Sequence, residues 1–318
     1  GRTLVYSTRV RGRTGLRVPV LCLGTMTFGL QADRETSFAI LDAAVEGGIT
    51  FLDTADVYPL GGNLQTVGRT EEILGEWMAA RGNRDALILA TKCMGPMGPG
   101  PNDWGLSRHH VTRALEASLR RLRTDCVELY QAHFFDARTP IEETLRAMDD
   151  LQRAGKIRYA GCSNYPAWRL SEALAAAERL GAEGYVSVQP RYNLLYREIE
   201  TELLPLCRAR GLGVIPYNPL AGGFLSGKHA RGSEPAEGTR FTLGSAAEIY
   251  RRRYWQEAQF RAIERLAKEV EARGQELVPV ALRWGLDQPG VSSALIGASR
   301  PEQLAASLAA PGAANDAD

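Results

Sequence analysis

The sequence predicts an α/β fold in which eight parallel strands, each followed by a helix, close into one barrel. Three observations carry that prediction. Short apolar runs alternate with amphipathic helical stretches over almost the whole chain. The runs are apolar without interruption, as in a parallel sheet that helices cover. There are eight of them, a count that points to closure rather than to an open sheet.

The elements follow in order. The first run, residues 20–23, leads into Gly24-Thr25-Met26-Thr27-Phe28-Gly29. A doubly wound dinucleotide sheet would carry G-x-G-x-x-G there, and this one does not. The second and third runs are residues 50–52 and 86–90. The third leaves through the Gly/Pro-rich segment 95–101, which lacks a following G-K-[ST] and reads as a loop that can flank a substrate site. Val111, Leu115, Leu119 and Leu122 then recur at helical spacing, with Ser107 placed to cap the first turn. Residues 126–130, 157–161, 185–189 and 212–216 supply runs four to seven. Residues 221–253 break the rhythm with glycines, Pro235 and scattered charge, as a long loop after the seventh strand. Residues 293–296 form the eighth run. We expect one domain over residues 1–310 and a flexible tail over 311–318, with no internal repeat and no linker.

Composition narrows the function. Among 318 residues, 38 basic side chains balance 37 acidic ones, so the electrostatic footprint of a nucleic-acid or anionic-membrane binder is missing. No apolar run approaches the roughly 20 residues that span a bilayer, and the opening Gly1-Arg2-Thr3-Leu4-Val5-Tyr6 has no signal-like stretch. A soluble, cytoplasmic protein with a small-molecule partner is expected. The five cysteines (Cys22, Cys93, Cys126, Cys162, Cys207) are odd in number and never paired as C-x-x-C, so they read as reduced core thiols. Only four histidines are present, and no metal site is expected.

In a barrel of this kind the site lies at the C-terminal ends of the strands. Polar residues stand there in number: Asp53 and Tyr58 after the second run, Lys92 after the third, His133 after the fourth, Ser163 and Asn164 after the fifth, Gln189 at the sixth, Tyr217 and Asn218 after the seventh. Each has a plain structural alternative, Asp53 as a loop cap, Tyr58 as a loop aromatic, His133 as a satisfied core histidine. Lys92 is harder to explain that way. It is one of only four lysines among 38 basic residues, and a cation directly after an apolar run is costly unless paired; Asp53 is its natural partner. The set has a chemistry. A phenol of pKa ~10 gains usefulness as a proton donor beside an ammonium. A neutral imidazole can hydrogen-bond a carbonyl oxygen on which charge develops. The hydride such a reduction needs comes from a nicotinamide cofactor, because side chains cannot supply one.

At these residues the sequence resembles the aldo-keto reductase family. Gly48-Ile49-Thr50-Phe51-Leu52-Asp53-Thr54-Ala55-Asp56-Val57-Tyr58 matches the G-x-x-x-x-D-T-A-x-x-Y signature, and further matches run from Gly15-Leu16-Arg17-Val18 to Gly297-Ala298-Ser299. The resemblance implies a (β/α)8 TIM barrel and a catalytic tetrad of Asp53, Tyr58, Lys92 and His133, with Tyr58 as general acid in reduction. It implies an NADPH/NADP+ site that begins at Gly24, Thr25, Met26 and Asp53. Ser163, Asn164 and Gln189 would hold the carboxamide, Tyr217 would stack on the nicotinamide, and Asn218, Pro219, Leu220, Gly222 and Lys228 would follow the pyrophosphate. Arg240 resembles the phosphate-contacting arginine of the branch near the potassium-channel β-subunits and bacterial reductases. Gly297, Ser299, Arg300 and Gln303 would lie by the adenosine 2′-phosphate, near the N-terminus of a helix from Pro301.

The chain departs from the pattern in places. Gly297-Ala298 stands where many relatives have Lys-Ser, Gln303 where they have arginine, and Ser307 where they have asparagine. NADP(H) remains favoured over NAD(H) through Arg240, Arg300 and Lys228. Pro59-Leu60-Gly61-Gly62-Asn63 follows Tyr58 where a single Gly is common, which alters the pocket's shape. His133 is present, whereas the channel β-subunits typically replace it. The expected activity is therefore NADPH-dependent reduction of an aldehyde or ketone, such as a sugar or natural-product ketone. The alternative is an NADP(H)-binding sensing module with slow turnover, although no partner-binding segment is recognisable. A lyase or hydrolase would need a phosphate site or metal ligands that the sequence lacks. Met26, Phe28, Tyr58, Trp104, Phe134, Phe135 and Tyr192 are the expected pocket lining.

Overall fold

A computed structural model describes residues 8–10, 12–221, 225 and 247–310. The expected tail over 311–318 and most of the excursion after the seventh run lie outside the described residues. A hairpin, β1 (Thr8–Val10) with β2 (Arg17–Pro19), precedes the barrel. The barrel strands are β3 (Leu21–Gly24), β4 (Phe51–Asp53), β5 (Ile88–Cys93), β6 (Val127–Ala132), β7 (Ile157–Ser163), β8 (Tyr185–Gln189), β9 (Gly213–Val214) and β10 (Ala294–Ile296). They pair in parallel in the order β10-β3-β4-β5-β6-β7-β8-β9. The Ser292 amide donates to Val214 O (2.8 Å) and the Leu295 amide to Pro216 O (2.9 Å), so β9 meets β10 and the barrel closes. The molecule is the (β/α)8 barrel that the sequence predicts.

Helices α1 (Arg34–Glu46), α2 (Arg69–Arg81), α3 (Arg108–Leu122), α4 (Ile141–Arg153), α5 (Ala167–Leu180) and α6 (Leu203–Arg210) fill the successive crossovers. After β9 come α7 (Ala247–Tyr254), α8 (Glu257–Ala272) and α9 (Leu277–Asp287), and α10 (Leu304–Leu308) follows β10. Ser107 does cap α3: its Oγ accepts from the His110 amide at 3.1 Å, a contact worth about 1 kcal/mol to a helix end. Among the described residues no helix is long and apolar enough to cross a membrane.

Four differences from the sequence reading bear on the site, the first being that residues 247–253, expected in the long loop after the seventh strand, belong to α7. Residues 84–86 form a 3-10 turn and β5 starts at Ile88, which puts Lys92 inside the strand instead of just past it. The seventh strand has only two paired residues. The segment from Pro301 opens as a 3-10 turn, Pro301–Gln303, and α10 begins only at Leu304.

Two cores follow from the alternation of strand side chains. Cys22, Phe51, Ala90, Leu129, Ile215 and Leu295 fill the barrel interior with Tyr58 above them, and Val18 and Leu16 of the hairpin close the end where the strands begin. A larger core, with Trp77 and Tyr130, lies between strands and helices. All five cysteines are unpaired. Four are buried, and burial pushes the thiols of Cys93 and Cys162 up, and that of Cys207 up to about 12. Cys126 is only half-buried, so it is no core thiol: it sits just before β6, at the barrel's closed end.

Candidate active site

Lys92 sits in register with Gln131 of the neighbouring strand, and its side chain is fully buried inside the barrel. Its ammonium donates to Asp53 Oδ2 (2.6 Å), to the Thr54 carbonyl (3.0 Å) and to Tyr58 OH (3.2 Å). Three acceptors in three directions suit the compact donor of lysine better than the planar fork of arginine. Asp53 Oδ1 accepts from Gln131 Nε2 and Gln189 Nε2, both at 3.0 Å. Burial works against the charged lysine, but the Asp53 carboxylate and Tyr58 outweigh it and hold the ammonium above its usual range. Such a pair adds little net stability, yet losing one partner would cost about 3–5 kcal/mol.

Tyr58 accepts from Lys92, and its phenol lines the base of the space above. His133 lies edge-on to it, ring centroids 5.8 Å apart, and stacks on Phe134 at 4.8 Å. Burial, and then the Lys92 charge, hold the His133 imidazole well below its ordinary pKa, so the ring is neutral. Its Nδ1 is occluded and has no hydrogen-bond partner among the described residues. Asp53, Tyr58, Lys92 and His133 thus come together from two strands, β4 and β5, and from the loops that leave β4 and β6.

The strand exits beside them are shaped by two asparagines in the left-handed region, Asn164 (φ 58°) and Asn218 (φ 55°). Asparagine tolerates this backbone better than most residues and still offers an amide. Asn164 Nδ2 donates to His133 O (3.1 Å) and Ser163 Oγ (3.2 Å), and its Oδ1 accepts from Tyr217 OH. Ser163 Oγ donates to Gln189 O (2.8 Å). Asn218 O accepts from Asn193 Nδ2 (3.0 Å), which fixes the turn through Pro219 and Leu220.

A cavity of about 670 Å³ opens over this floor. Tyr58, His133, Ser163, Asn164, Gln189 and Tyr217 line its base, and Met26, Val57, the loop 59–64, Val67, Phe134 and Ile249 its walls. The changed loop after Tyr58 therefore does shape the cavity. Gly24 ends β3 where an added Cβ would meet Leu295 Cδ2 at 3.1 Å, and Thr25 Oγ1 donates to Asp53 O (2.9 Å). Gly297 and Arg300 are exposed at the barrel's last exit. Gln303 folds back so that its Oε1 accepts from the Ser299 and Arg300 amides (2.8 and 3.3 Å). The Ser299 hydroxyl donates to the same oxygen (3.3 Å), so an anion there would be met by the exposed Arg300 side chain and not by a bare helix end. Gly222, Lys228 and Arg240 lie outside the described residues.

Four expected pocket residues do not line this cavity. Phe28 is fully buried in the core between strands and helices. Trp104 is turned to Arg138, whose guanidinium sits 3.8 Å from its ring. Phe135, one residue past Phe134, points the other way, onto Tyr165 and beneath Arg169. Tyr192 is 1% exposed, and its OH is held by Glu200 at 2.6 Å. Conversely, sequence reasoning passed over Gln131 of β6, and over Ile249 and Arg253 of α7. Gln131 shares the strand parity of Leu129, which marks it as pointing inward.

The donor set fits a nicotinamide. The Tyr217 side chain borders the cavity, and Gln189 Oε1 and Asn164 Oδ1 each keep an acceptor position that a carboxamide NH2 can use.

Comparison with known proteins agrees with the geometry. Residues 20–313 match the Aldo/keto reductase family. The chain is 44% identical over 298 residues to the uncharacterized oxidoreductase YrpG of Bacillus subtilis, covering 92% of this chain and 87% of that protein. It is 38% identical over 302 residues to a probable voltage-gated potassium channel subunit beta of Oryza sativa, covering 94% and 89%. It is 35% identical over 312 residues to the norsolorinic acid reductase stcV of Emericella nidulans, covering 94% and 75%. A match that runs from the first barrel strand past the last helix settles the assignment: the chain belongs to the aldo/keto reductase family of oxidoreductases.

Proposed function

We propose that the protein reduces an aldehyde or ketone to an alcohol with NADPH, with Tyr58 as the proton donor. The observation that carries this reading is the phenol of Tyr58, held from below by a buried ammonium and presented to an apolar cavity beside a neutral imidazole. A bound nicotinamide would supply the hydride. The chain's own residues do the rest. A substrate carbonyl oxygen placed between Tyr58 and His133 receives a hydrogen bond from the imidazole and the proton from the phenol. Lys92 then faces the phenolate it leaves, and Asp53, fixed by the Gln131 and Gln189 amides, keeps Lys92 in place.

NADPH over NADH is supported by Arg300, an exposed cation that makes no ion pair with any described residue, at the exit where the resemblance expects the 2′-phosphate. The unpaired thiols fit a reducing, cytoplasmic setting. We take residues 1–310 as one functional domain. The likeness to potassium-channel β-subunits favours a second reading, a barrel that binds NADP(H) and signals its redox state to a partner.

The test is loss of reduced-nicotinamide absorbance with purified protein, an activated aromatic aldehyde and a reactive diketone, with NADPH and NADH in parallel. Tyr58→Phe should lower kcat about 100-fold or more, the size expected for loss of a general acid, with NADPH affinity unchanged. Wild-type turnover in that variant would remove Tyr58 from the role. Tight NADPH binding without turnover of either carbonyl would favour the sensing module.

A further inference from the structure

The cavity over Tyr58 is apolar on nearly every side. Among its described lining residues only Arg253 carries a formal charge, since His133 is neutral and no carboxylate is present. Arg253 belongs to α7, one turn after Ile249, and the two side chains face the cavity together, as i and i+4 positions must. The arginine is half-buried and forms no ion pair with any described residue. It stands where this cavity adjoins a second cleft of about 470 Å³, and the two share Asn164 and Tyr217 as a partition. The second cleft does contain carboxylates. Glu198, however, accepts from Tyr196 OH at 2.6 Å, and Arg253 pairs with neither it nor Glu202. A guanidinium removed partly from water without a counter-ion is costly, and a bound carboxylate would offset that cost with a bidentate contact.

We propose that Arg253 is a specificity-determining residue that receives an anionic group of the substrate, so that the preferred substrates are carbonyl compounds with an apolar body and a carboxylate at the end remote from the reacting C=O. Ile249 and Phe134 would flank the apolar body, and Tyr58 and His133 would take the carbonyl end. This rests on the reductase reading. The same charge could instead meet a phosphate of the cofactor, and the experiment separates the two sources.

The experiment compares 4-formylbenzoate with its methyl ester, which keeps the outline of the molecule, removes the charge and makes the aldehyde the more electrophilic of the two, so that a preference for the carboxylate reads binding. The wild-type protein should favour the carboxylate by about tenfold or more in kcat/KM, chiefly through KM. Arg253→Met should bring the ratio near one, and Arg253→Lys should restore part of it. No preference in the wild type, or an equal fall for both aldehydes in Arg253→Met, would overturn the proposal. So would a tenfold loss of NADPH affinity in that variant, which would give the arginine to the cofactor. If the wild type reduces neither aldehyde, the reductase reading fails, and binding of terephthalate to the NADP+-loaded protein decides separately. Tenfold tighter binding to wild type than to Arg253→Met would uphold the anion site, and equal binding would overturn it.

Discussion

Thr91 and Lys92 are consecutive on β5 and point to opposite faces, so one strand anchors two buried charge networks. Inward lies the Lys92–Asp53 pair. Outward, Thr91 Oγ1 donates to Glu71 Oε2 (2.7 Å), while Ser118 Oγ (3.1 Å) and Arg121 Nη2 (2.8 Å) converge on Glu71 Oε1. Glu71 is as buried as Lys92. Its carboxylate is sealed because α2 and α3 touch at Gly75, where an added Cβ would lie 2.1 Å from the Arg121 carbonyl, while the Arg121 side chain stays partly exposed. The inner network ends at a phenol that faces an apolar cavity, and the outer one ends at the partly exposed guanidinium of Arg121 on α3. Each holds one carboxylate and one cation. Buried charge alone therefore does not mark the reactive site; the opening beside it does.

Matched variants can break this comparison. Lys92→Met strips the inner pair of its cation and Tyr58 of its donor, so activity should fall about 100-fold or more while stability drops by about 3–5 kcal/mol. Glu71→Gln, its outer counterpart, should cost about the same stability, read as a lower urea midpoint, with kcat of the folded protein unchanged. If Glu71→Gln lost activity as steeply as Lys92→Met, the two networks would be one machine. Asp56→Asn should change activity least, and its stability effect should depend on pH. That carboxyl is fully buried beside the outer network, and burial, followed by the Glu71 charge, pushes its pKa well above 3.8. A raised carboxyl stabilises the fold in acid and loses that contribution as pH rises toward the folded value. Each unit across that window costs wild type up to about 1.4 kcal/mol relative to the variant. The melting-temperature gain of Asp56→Asn should thus be larger near pH 8 than near pH 5, and a pH-independent difference would rule out Asp56 as the titrating group.

The inner network was legible because barrel topology converts strand ends into one place. Asp53, Tyr58, Lys92 and His133 could be gathered from position before any resemblance was considered, and the lysine stood out in an arginine-rich chain. The outer network was not legible. Glu71 and Arg121 lie on helices, where charged residues ordinarily face water, and nothing local in their sequence distinguishes a sealed face from an exposed one. The pocket lining failed for a related reason. Phe28, Trp104, Phe135 and Tyr192 sit near strand exits, but which way an aromatic turns depends on partners such as Arg138, Arg169 and Glu200 that lie far along the chain or across a loop. Arg253 escaped notice because the excursion after β9 carries no periodic signal to anchor it.

The distribution of thiols has a practical consequence. With four of the five cysteines sealed in the interior, the folded protein should behave toward a thiol-directed dye as though it had a single handle, Cys126. That handle lies at the foot of β6, at the end of the barrel opposite the mouth. A fluorophore placed there would sit clear of any ligand entering above Tyr58, and exposure of the remaining four thiols would count the molecules that open.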